Sequence, residues 1–341
     1  MLGRLKFEFT DLVNQMLDQL PNEVWSSSVT TFLDPAMGGG QFVREVEQRL
    51  RNFGHSDANI AGRVYGVESN KMRVRFAVNK YKLVGTYINR DFLGEEANMK
   101  FDVVVGNPPF QRSDNKAKRW TLWEEFVNRA LDECDHVAMI VPQSLTSPGK
   151  TWRRIRKHAT IINIDVKQHF NIGSSFCYFV VDQSQEGKRT KLIDADSELI
   201  VDISSLPFLP KKINTYTLSL LDKLVARKKR AWRRGELHTS SKDRFDNNGI
   251  YEVLHTNAQT LHTNFEHSNK EKIRVAVTLS GYPKFEVIYK KYCSQATLWT
   301  EFDTIASAES FADECNDKDI QEIVNLFKWS GWNSKEVISL I

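Results

Sequence analysis

The sequence predicts an α/β protein: a doubly wound, mostly parallel sheet followed by a smaller C-terminal domain. Three observations carry this. Short apolar runs alternate with helix-length amphipathic segments from the N-terminus to about residue 183. One of those runs, Phe101 to Val105, is nearly all apolar, as in a strand buried on both faces. A glycine-rich turn follows the first run, at the kind of strand end where open α/β sheets bind ligands.

Taken in order, Phe7 to Leu20 reads as a helix, with Leu12, Leu17 and Leu20 on one side and Pro21 past its end. Val29 to Leu33 is a short strand that runs into Asp34-Pro-Ala-Met-Gly-Gly-Gly40, and Phe42 to Phe53 is a helix stopped by Gly54. The strand Val64 to Val67, the helix Asn70 to Leu83 and the strands Thr86 to Arg90 and Phe101 to Val105 follow. Then come the helix Trp120 to Cys134, the strand Val137 to Val141, a helix rich in Arg and Lys at Thr151 to His158, and the strands Ile161 to Val166 and Phe176 to Val181. This alternation implies helices on both faces of the sheet. It breaks near Gln183-Ser-Gln-Glu-Gly-Lys188, which places a boundary at about 185–205, between a domain of residues 1–190 and one of residues 205–341. The second domain shows an apolar-basic helix at Tyr216 to Trp232, a strand at Ile273 to Leu279 and a helix at Lys318 to Lys328.

A chain of 341 residues is long for one core. Its 41% apolar and 26% charged content is ordinary for a soluble globular protein. No apolar run reaches membrane-spanning length, and Met1-Leu-Gly-Arg-Leu-Lys-Phe-Glu lacks a secretory pattern. Cys134, Cys177, Cys293 and Cys315 form no C-x-x-C pair and read as reduced thiols of a cytoplasmic protein, with no zinc knuckle. His255, His262 and His267 have poor metal spacing and read as solvated loop residues, so no metal is expected. The net charge of +4 is unevenly spread: Lys211 to Arg234 holds nine Lys/Arg and one acid, whereas Glu301 to Ile341 holds nine Asp/Glu and three Lys. A polyanion face on one part of the molecule is the expectation.

The turn Asp34-Pro-Ala-Met-Gly38-Gly-Gly40-Gln-Phe42 lets backbone amides approach a ligand. It is not a dinucleotide fingerprint, because Val43 stands at the third glycine position, and no Gly-Lys-Ser/Thr follows for a phosphate loop. An acid at the strand end repels phosphate and suits a ligand bearing an ammonium group. Glu68, ending the second strand, can accept both hydroxyls of a ribose. Asp91 can accept from an adenine amine with Phe92 against the ring. The most specific stretch is Gly106-Asn107-Pro108-Pro109-Phe110, a stiff turn at the end of the most apolar strand. An amine on an aromatic base is a poor nucleophile because its lone pair is delocalised. Accepting both of its hydrogens, at the Asn107 side-chain oxygen and the Pro108 carbonyl, favours a localised lone pair, while Phe110 offers a stacking face.

These motifs, in this order, resemble the gamma class of DNA amino-methyltransferases. Asp34-Pro-Ala-x-Gly38-x-Gly40-x-Phe42 matches that family's donor loop, and Asn107-Pro-Pro-Phe110 its catalytic turn. Leu122-Trp123-x-x-Phe126, Val137 to Ser144 and Gly173 to Val181 resemble the elements that follow, the last being a hairpin that walls the base pocket. Where the family reads Thr-Pro upstream, this chain reads Phe9-Thr10-Asp11. The resemblance covers roughly residues 7–185. It implies a seven-stranded class I methyltransferase sheet with one antiparallel strand and a C-terminal target-recognition domain. It further implies S-adenosylmethionine as cofactor, held by Thr10, Asp34, Pro35, Ala36, Gly38, Gly40, Phe42, Glu68, Asp91, Phe92 and Asn107. Asn107, Pro108, Pro109 and Phe110 would act on N6 of a flipped-out adenine.

Double-stranded DNA is the implied partner, with room for a separate cognate restriction endonuclease; no membrane partner is expected, and oligomeric state is not set by the sequence. Candidate phosphate contacts are Arg230, Arg233 and Arg234 in the basic run, Arg112, Lys116, Lys118 and Arg119 after the catalytic turn, and Lys150 and Arg153. The alternatives are N4-cytosine methylation, transfer to RNA or to protein glutamine, and an inactive methyltransferase fold used for binding. Trp329 and Trp332 read as a small core near the C-terminus.

Overall fold

A computed structural model describes residues 9–94, 100–111, 122–170, 173–184, 189–227, 229–238, 240, 245–246, 248–328 and 333–341. Arg112, Lys116, Lys118, Arg119, Trp329 and Trp332 lie outside the described residues. The chain divides into two compact units, Met1–Phe208 and Leu209–Ile341.

The first unit runs α1 (Phe9–Leu17), α2 (Asn22–Ser26), β1 (Phe32–Asp34), α3 (Gln41–Asn52), α4 (Asp57–Ala61), β2 (Val64–Glu68), α5 (Lys71–Tyr81), β3 (Thr86–Asn89) and β4 (Val103–Gly106). It continues with α6 (Leu122–Glu133), β5 (His136–Pro142), α7 (Lys150–His158), β6 (Ala159–Asn163), β7 (Phe176–Asp182), β8 (Thr190–Asp194) and β9 (Ser197–Val201). The expected N-terminal helix closes at Leu17, and Pro21, past its end, stands at the N-cap of a further short helix, α2, that was not expected. The sheet order is β3-β2-β1-β4-β5-β7-β6-β8-β9. Its first seven strands are the expected mostly parallel set, with β7 antiparallel to both neighbours. β8 and β9 were not expected. The polar residues after Gln183 resemble a linker, yet Thr190 to Val201 forms a hairpin whose first strand pairs in parallel with β6. The first unit therefore extends to Phe208, beyond the 185–205 zone.

Glu47, wholly buried on α3, pins the approach to β3. It accepts from the backbone N–H groups of Val84 and Gly85 at 2.9 and 2.8 Å and from the Tyr87 hydroxyl at 2.5 Å, and it pairs with Arg51 at 3.0 Å. Its burial beside a carboxylate pushes the Tyr87 phenol upward.

The second unit contains α8 (Thr215–Val225), β10 (Arg233–Arg234), β11 (Tyr251–Thr256), β12 (Gln259–Thr263), β13 (Ile273–Thr278), β14 (Phe285–Ile288), β15 (Tyr292–Cys293), β16 (Thr297–Phe302), α9 (Ile305–Asn316), α10 (Lys318–Leu326) and α11 (Lys335–Ile338). It forms one sheet of order β10-β16-β13-β14 and a smaller one, β12-β11-β15. The helix expected to reach Trp232 stops at Val225. Trp232 is drawn into a buried aromatic group with Phe285 and Phe311, and the residues before it leave the helix to get there. His255 and His262 sit half-buried on β11 and β12 instead of in loops, and His255 bonds Ser294 Oγ at 2.8 Å. Arg274 is fully buried, held by Glu236 at 3.1 Å and lying 5.1 Å from the Trp299 ring centre. No helix among the described residues is long and apolar enough to cross a membrane.

Glu47→Ala leaves two half-buried backbone N–H groups and a half-buried phenol without their acceptor. Urea unfolding of this variant is expected to show a loss of about 3 kcal/mol or more at unchanged m-value.

Candidate active site

The site stands where the carboxyl ends of three adjacent parallel strands meet. β1 pairs with β2 through Asp34↔Gly66 and with β4 through Leu33↔Val104, so Asp34, Glu68 and Asn107 rise from one edge. Gly106 fits because it has no side chain: a Cβ there would stand 2.9 Å from Asp34 Oδ1. Beyond β1 the chain turns through Gly38 and Gly40, at φ 51° and 82°, which side chains disfavour. The turn is tied down by Met37 N–H to Val67 O at 2.9 Å and by Gly38 N–H to Glu68 Oε2 at 3.2 Å.

A cavity of about 750 Å³ opens at this edge. Of the expected residues, Pro35, Ala36, Gly38, Glu68, Asp91, Phe92, Asn107 and Pro109 line it. Asp34 lies behind the wall, with Oδ1 accepting from Ala36 N–H at 3.0 Å and Oδ2 buried with no partner among the described residues. Asn107 Oδ1 is likewise buried and unpartnered. Two orphaned acceptors beside a cavity of this size fit a ligand that brings hydrogen-bond donors. Glu68 accepts from Gly38 and Asn70 N–H and from Ser69 Oγ, so it can accept two ribose hydroxyls only by releasing one of these. Asp91 Oδ1 holds its own turn through Leu93 N–H at 3.0 Å, and Oδ2 remains for a ligand.

Besides Asp34, five expected residues do not line the cavity. Thr10 is on α1, where its carbonyl accepts from Asn14 Nδ2. Gly40 begins α3, and a Cβ there would meet Ala77 at 2.8 Å, so its lack of a side chain serves helix packing. Phe42 is in the core against Phe9. Phe110 stands in a row of aromatic rings, 5.0 Å from Phe176, which is 4.5 Å from Phe170. Pro108 is buried in the turn itself.

Sequence reasoning missed Arg73, Arg90 and Gln111 on the cavity wall, and it did not place Leu122 or Phe126 there. It also missed Arg129. From α6, the Arg129 guanidinium donates to Phe92 O and to Gly94 O, lies 4.6 Å from the Phe92 ring centre and pairs with Glu133 at 2.9 Å. It thereby clamps the turn that carries Asp91 and Phe92. A charged residue on a helix gives no sequence signal of this kind.

The candidate phosphate contacts of the second unit are exposed, but their guanidinium groups have partners. Arg230 lies over Phe302 and Phe311, at 4.4 and 4.6 Å, Arg233 lies over Trp299 at 5.4 Å, and Arg234 Nε donates to Gln295 O. Lys150 and Arg153 are exposed on α7.

Burial pushes the Asp34 carboxyl up to about 7, with Glu68 adding to the rise and the Ala36 N–H opposing it. The folded protein thus holds a proton between about pH 4 and 7 that the unfolded chain gives up. The stability this group contributes is complete below about pH 4 and is lost as pH rises through 7, a swing of about 4 kcal/mol. Asp34→Asn is expected to flatten that part of the pH–stability profile and to raise the ligand-free unfolding midpoint at pH 8, as scanning calorimetry would record.

Comparison with known proteins follows the same lines. Residues 45–176, which include the Asn107 turn, match the family described as Eco57I restriction-modification methylase. A relative from Mycoplasma pneumoniae (strain ATCC 29342 / M129 / Subtype 1), named an uncharacterized adenine-specific methylase, is 35% identical over 109 residues; the match covers 26% of this chain and 25% of the relative. The chain thus spans about a quarter of that protein's length. Among solved structures, the DrdV–DNA complex aligns over 92% of this chain and 52% of that one, with a TM-score of 0.53 and 12% identity. The ATP-dependent Type ISP restriction-modification enzyme LlaBIII bound to DNA aligns over 94% and 36%, with a TM-score of 0.51 and 9% identity. At such identities the structures speak to the fold alone, an open, mostly parallel α/β sheet followed by a further unit.

Proposed function

We propose that this chain transfers a methyl group from S-adenosylmethionine to N6 of an adenine turned out of double-stranded DNA. The observation that carries this is Asn107 Oδ1, a carboxamide oxygen buried without a partner at the end of β4, on a residue that lines the same cavity as Gly38, Glu68 and Asp91. The family match and the name of the Mycoplasma pneumoniae relative support it. So does Asn, rather than Ser, at the first position of the turn, which favours adenine over cytosine in the enzymes this chain resembles.

When bound, S-adenosylmethionine supplies a methyl group on a positively charged sulfur. Asp34 would face its ammonium group, Glu68 its ribose, and Asp91 with Phe92 its adenine, while Pro35, Ala36 and Gly38 shape the wall between them. The Asn107 oxygen and the Pro108 carbonyl would accept the two hydrogens of the target amine and so direct its lone pair. The two prolines fix these acceptors in place, and much of the barrier reduction would come from that positioning. Phe110, braced on Phe176, would stack on the base. In the second unit, Arg230, Arg233 and Arg234 would contact phosphates with the N–H edges that ring stacking and the Gln295 carbonyl leave open. A companion endonuclease fits this reading and no residue of the site requires one.

Nucleosides from the DNA of cells expressing the protein, resolved by mass spectrometry, test the assignment. A rise in N6-methyladenine is expected. A rise in N4-methylcytosine alone overturns the base, and labelling of RNA or protein with DNA untouched overturns the substrate class. Asn107→Ala is expected to lower turnover of labelled donor by about a hundredfold or more while calorimetric donor affinity stays within a few-fold. Asp34→Ala is expected to abolish donor binding. Neutralising Arg230, Arg233 and Arg234 together should flatten the salt dependence of DNA binding and leave donor affinity unchanged.

A further inference from the structure

We propose that a depression between α6, α7 and the end of β7 binds phosphate groups, at the edge of the catalytic sheet opposite the donor cavity. The depression measures about 560 Å³ and is lined by Leu131, Lys150, Arg153, Arg154, Lys157 and Gln183, among others. Strand direction fixes its place. β7 runs against β5, so Gln183, just past its end, lies at the amino edge, where its N–H donates to Asp135 O at 2.8 Å. α7 descends to the same edge, since the next residue, Ala159, starts β6 in register with Val181, which also pairs with Val137 near the start of β5. The seven residues of β5 separate this edge from the one bearing Asn107, a span of roughly 23 Å.

The charge pattern is one-sided. Lys150, Arg153, Arg154 and Lys157 recur at the three- and four-residue spacing that aligns them along one face of α7, a helix with no acidic residue. Among the described residues only Arg154 of these four has a carboxylate partner, Asp132 at 2.6 Å. Arg156 also lines the depression, but its guanidinium donates to the Leu206 carbonyl, and burial together with Arg153 holds it below the ordinary value. Gln183 spends its amide on the carbonyls of Leu131 and Cys134. Like charges at this spacing weaken a helix, so a stripe with a carboxylate on only one of its four cations is costly unless an anion covers it. Lys150 to Lys157 spans roughly 10 Å of helix, enough for more than one phosphate. Leu131 is the one apolar side chain in the lining, so an apolar protein segment would find little to bury against there.

The source of phosphate is either a nucleic acid backbone, in which case the site extends the proposed function, or a free polyphosphate. The test uses the full chain, the variant Lys150→Ala/Arg153→Ala/Lys157→Ala, and Arg153→Gln alone. All three positions are exposed, and relief of repulsion should leave the triple variant at least as stable at low salt. Tripolyphosphate is expected to raise the unfolding midpoint of the unmodified protein by several degrees, to do so less for Arg153→Gln, and not at all for the triple variant. In a second arm, binding of a random-sequence duplex is followed against salt. A slope smaller by about one for each lost contact identifies the backbone as the source. An unchanged slope with a lost tripolyphosphate response identifies a free anion. If the triple variant matches the unmodified protein in both arms, the proposal is wrong. Neither arm measures methyl transfer, and unchanged donor affinity in the variant separates this result from any failure at the donor cavity.

Discussion

A carboxyl group buried at the junction of three strand ends sets the terms for the first unit. Asp34 reaches its position only because β4 offers Gly106 beside it, and its unpartnered oxygen stays uncompensated until a ligand arrives. Parallel pairing of β1 with β2 and β4 brings Glu68 and Asn107 to the same edge, so the geometry of the cavity follows from register and not from any flexible loop. Glu47 does comparable work one layer away: by satisfying the chain at Val84 and Gly85 it fixes where β3 begins, and hence where Asp91 and Phe92 emerge. Arg129, from α6, then holds that turn.

Much of this was legible in the sequence because the signals are local. A strand pattern followed by glycines, or by Asn-Pro-Pro-Phe, specifies its own backbone, and β1 to β7 were all anticipated. What escaped depends on partners distant in sequence. The residues after Gln183 have linker composition, and only the exposed side of β6 tells them to pair. The helix through Tyr216 loses its continuation to the burial of Trp232, a pull from Phe285 and Phe311 that no window around residue 226 contains. Likewise, nothing within α6 marks Arg129 as the partner of a turn nearly forty residues earlier, at Phe92.

The second unit relies on a different device. Within its two small sheets stands a buried ion pair, Arg274 with Glu236, with the Trp299 ring beside it. Such a pair adds little net stability compared with apolar packing, but losing one member strands the other charge in a dry interior. The strands that present the unit's surface residues are therefore held by an arrangement that tolerates few substitutions. Exposed arginines stacked on aromatic faces extend the same logic outward, since a guanidinium fixed over a ring keeps its direction while its edge stays open.

The added hairpin of β8 and β9 has a consequence for the shape of the sheet. Adjacent strands rotate by roughly 20° relative to each other, and β9 lies five steps from β4. Its direction is therefore turned by roughly 100° from that of the strand bearing Asn107. At that rotation, the tight connection between Asp194 and Ser197 would point into a different quarter of space from the cavity beside Asn107. The far end of this sheet can thus lengthen, acquire a loop or carry a fused segment while the geometry around Asn107 stays as it is, so growth of the fold and preservation of its chemistry are separated by accumulated twist.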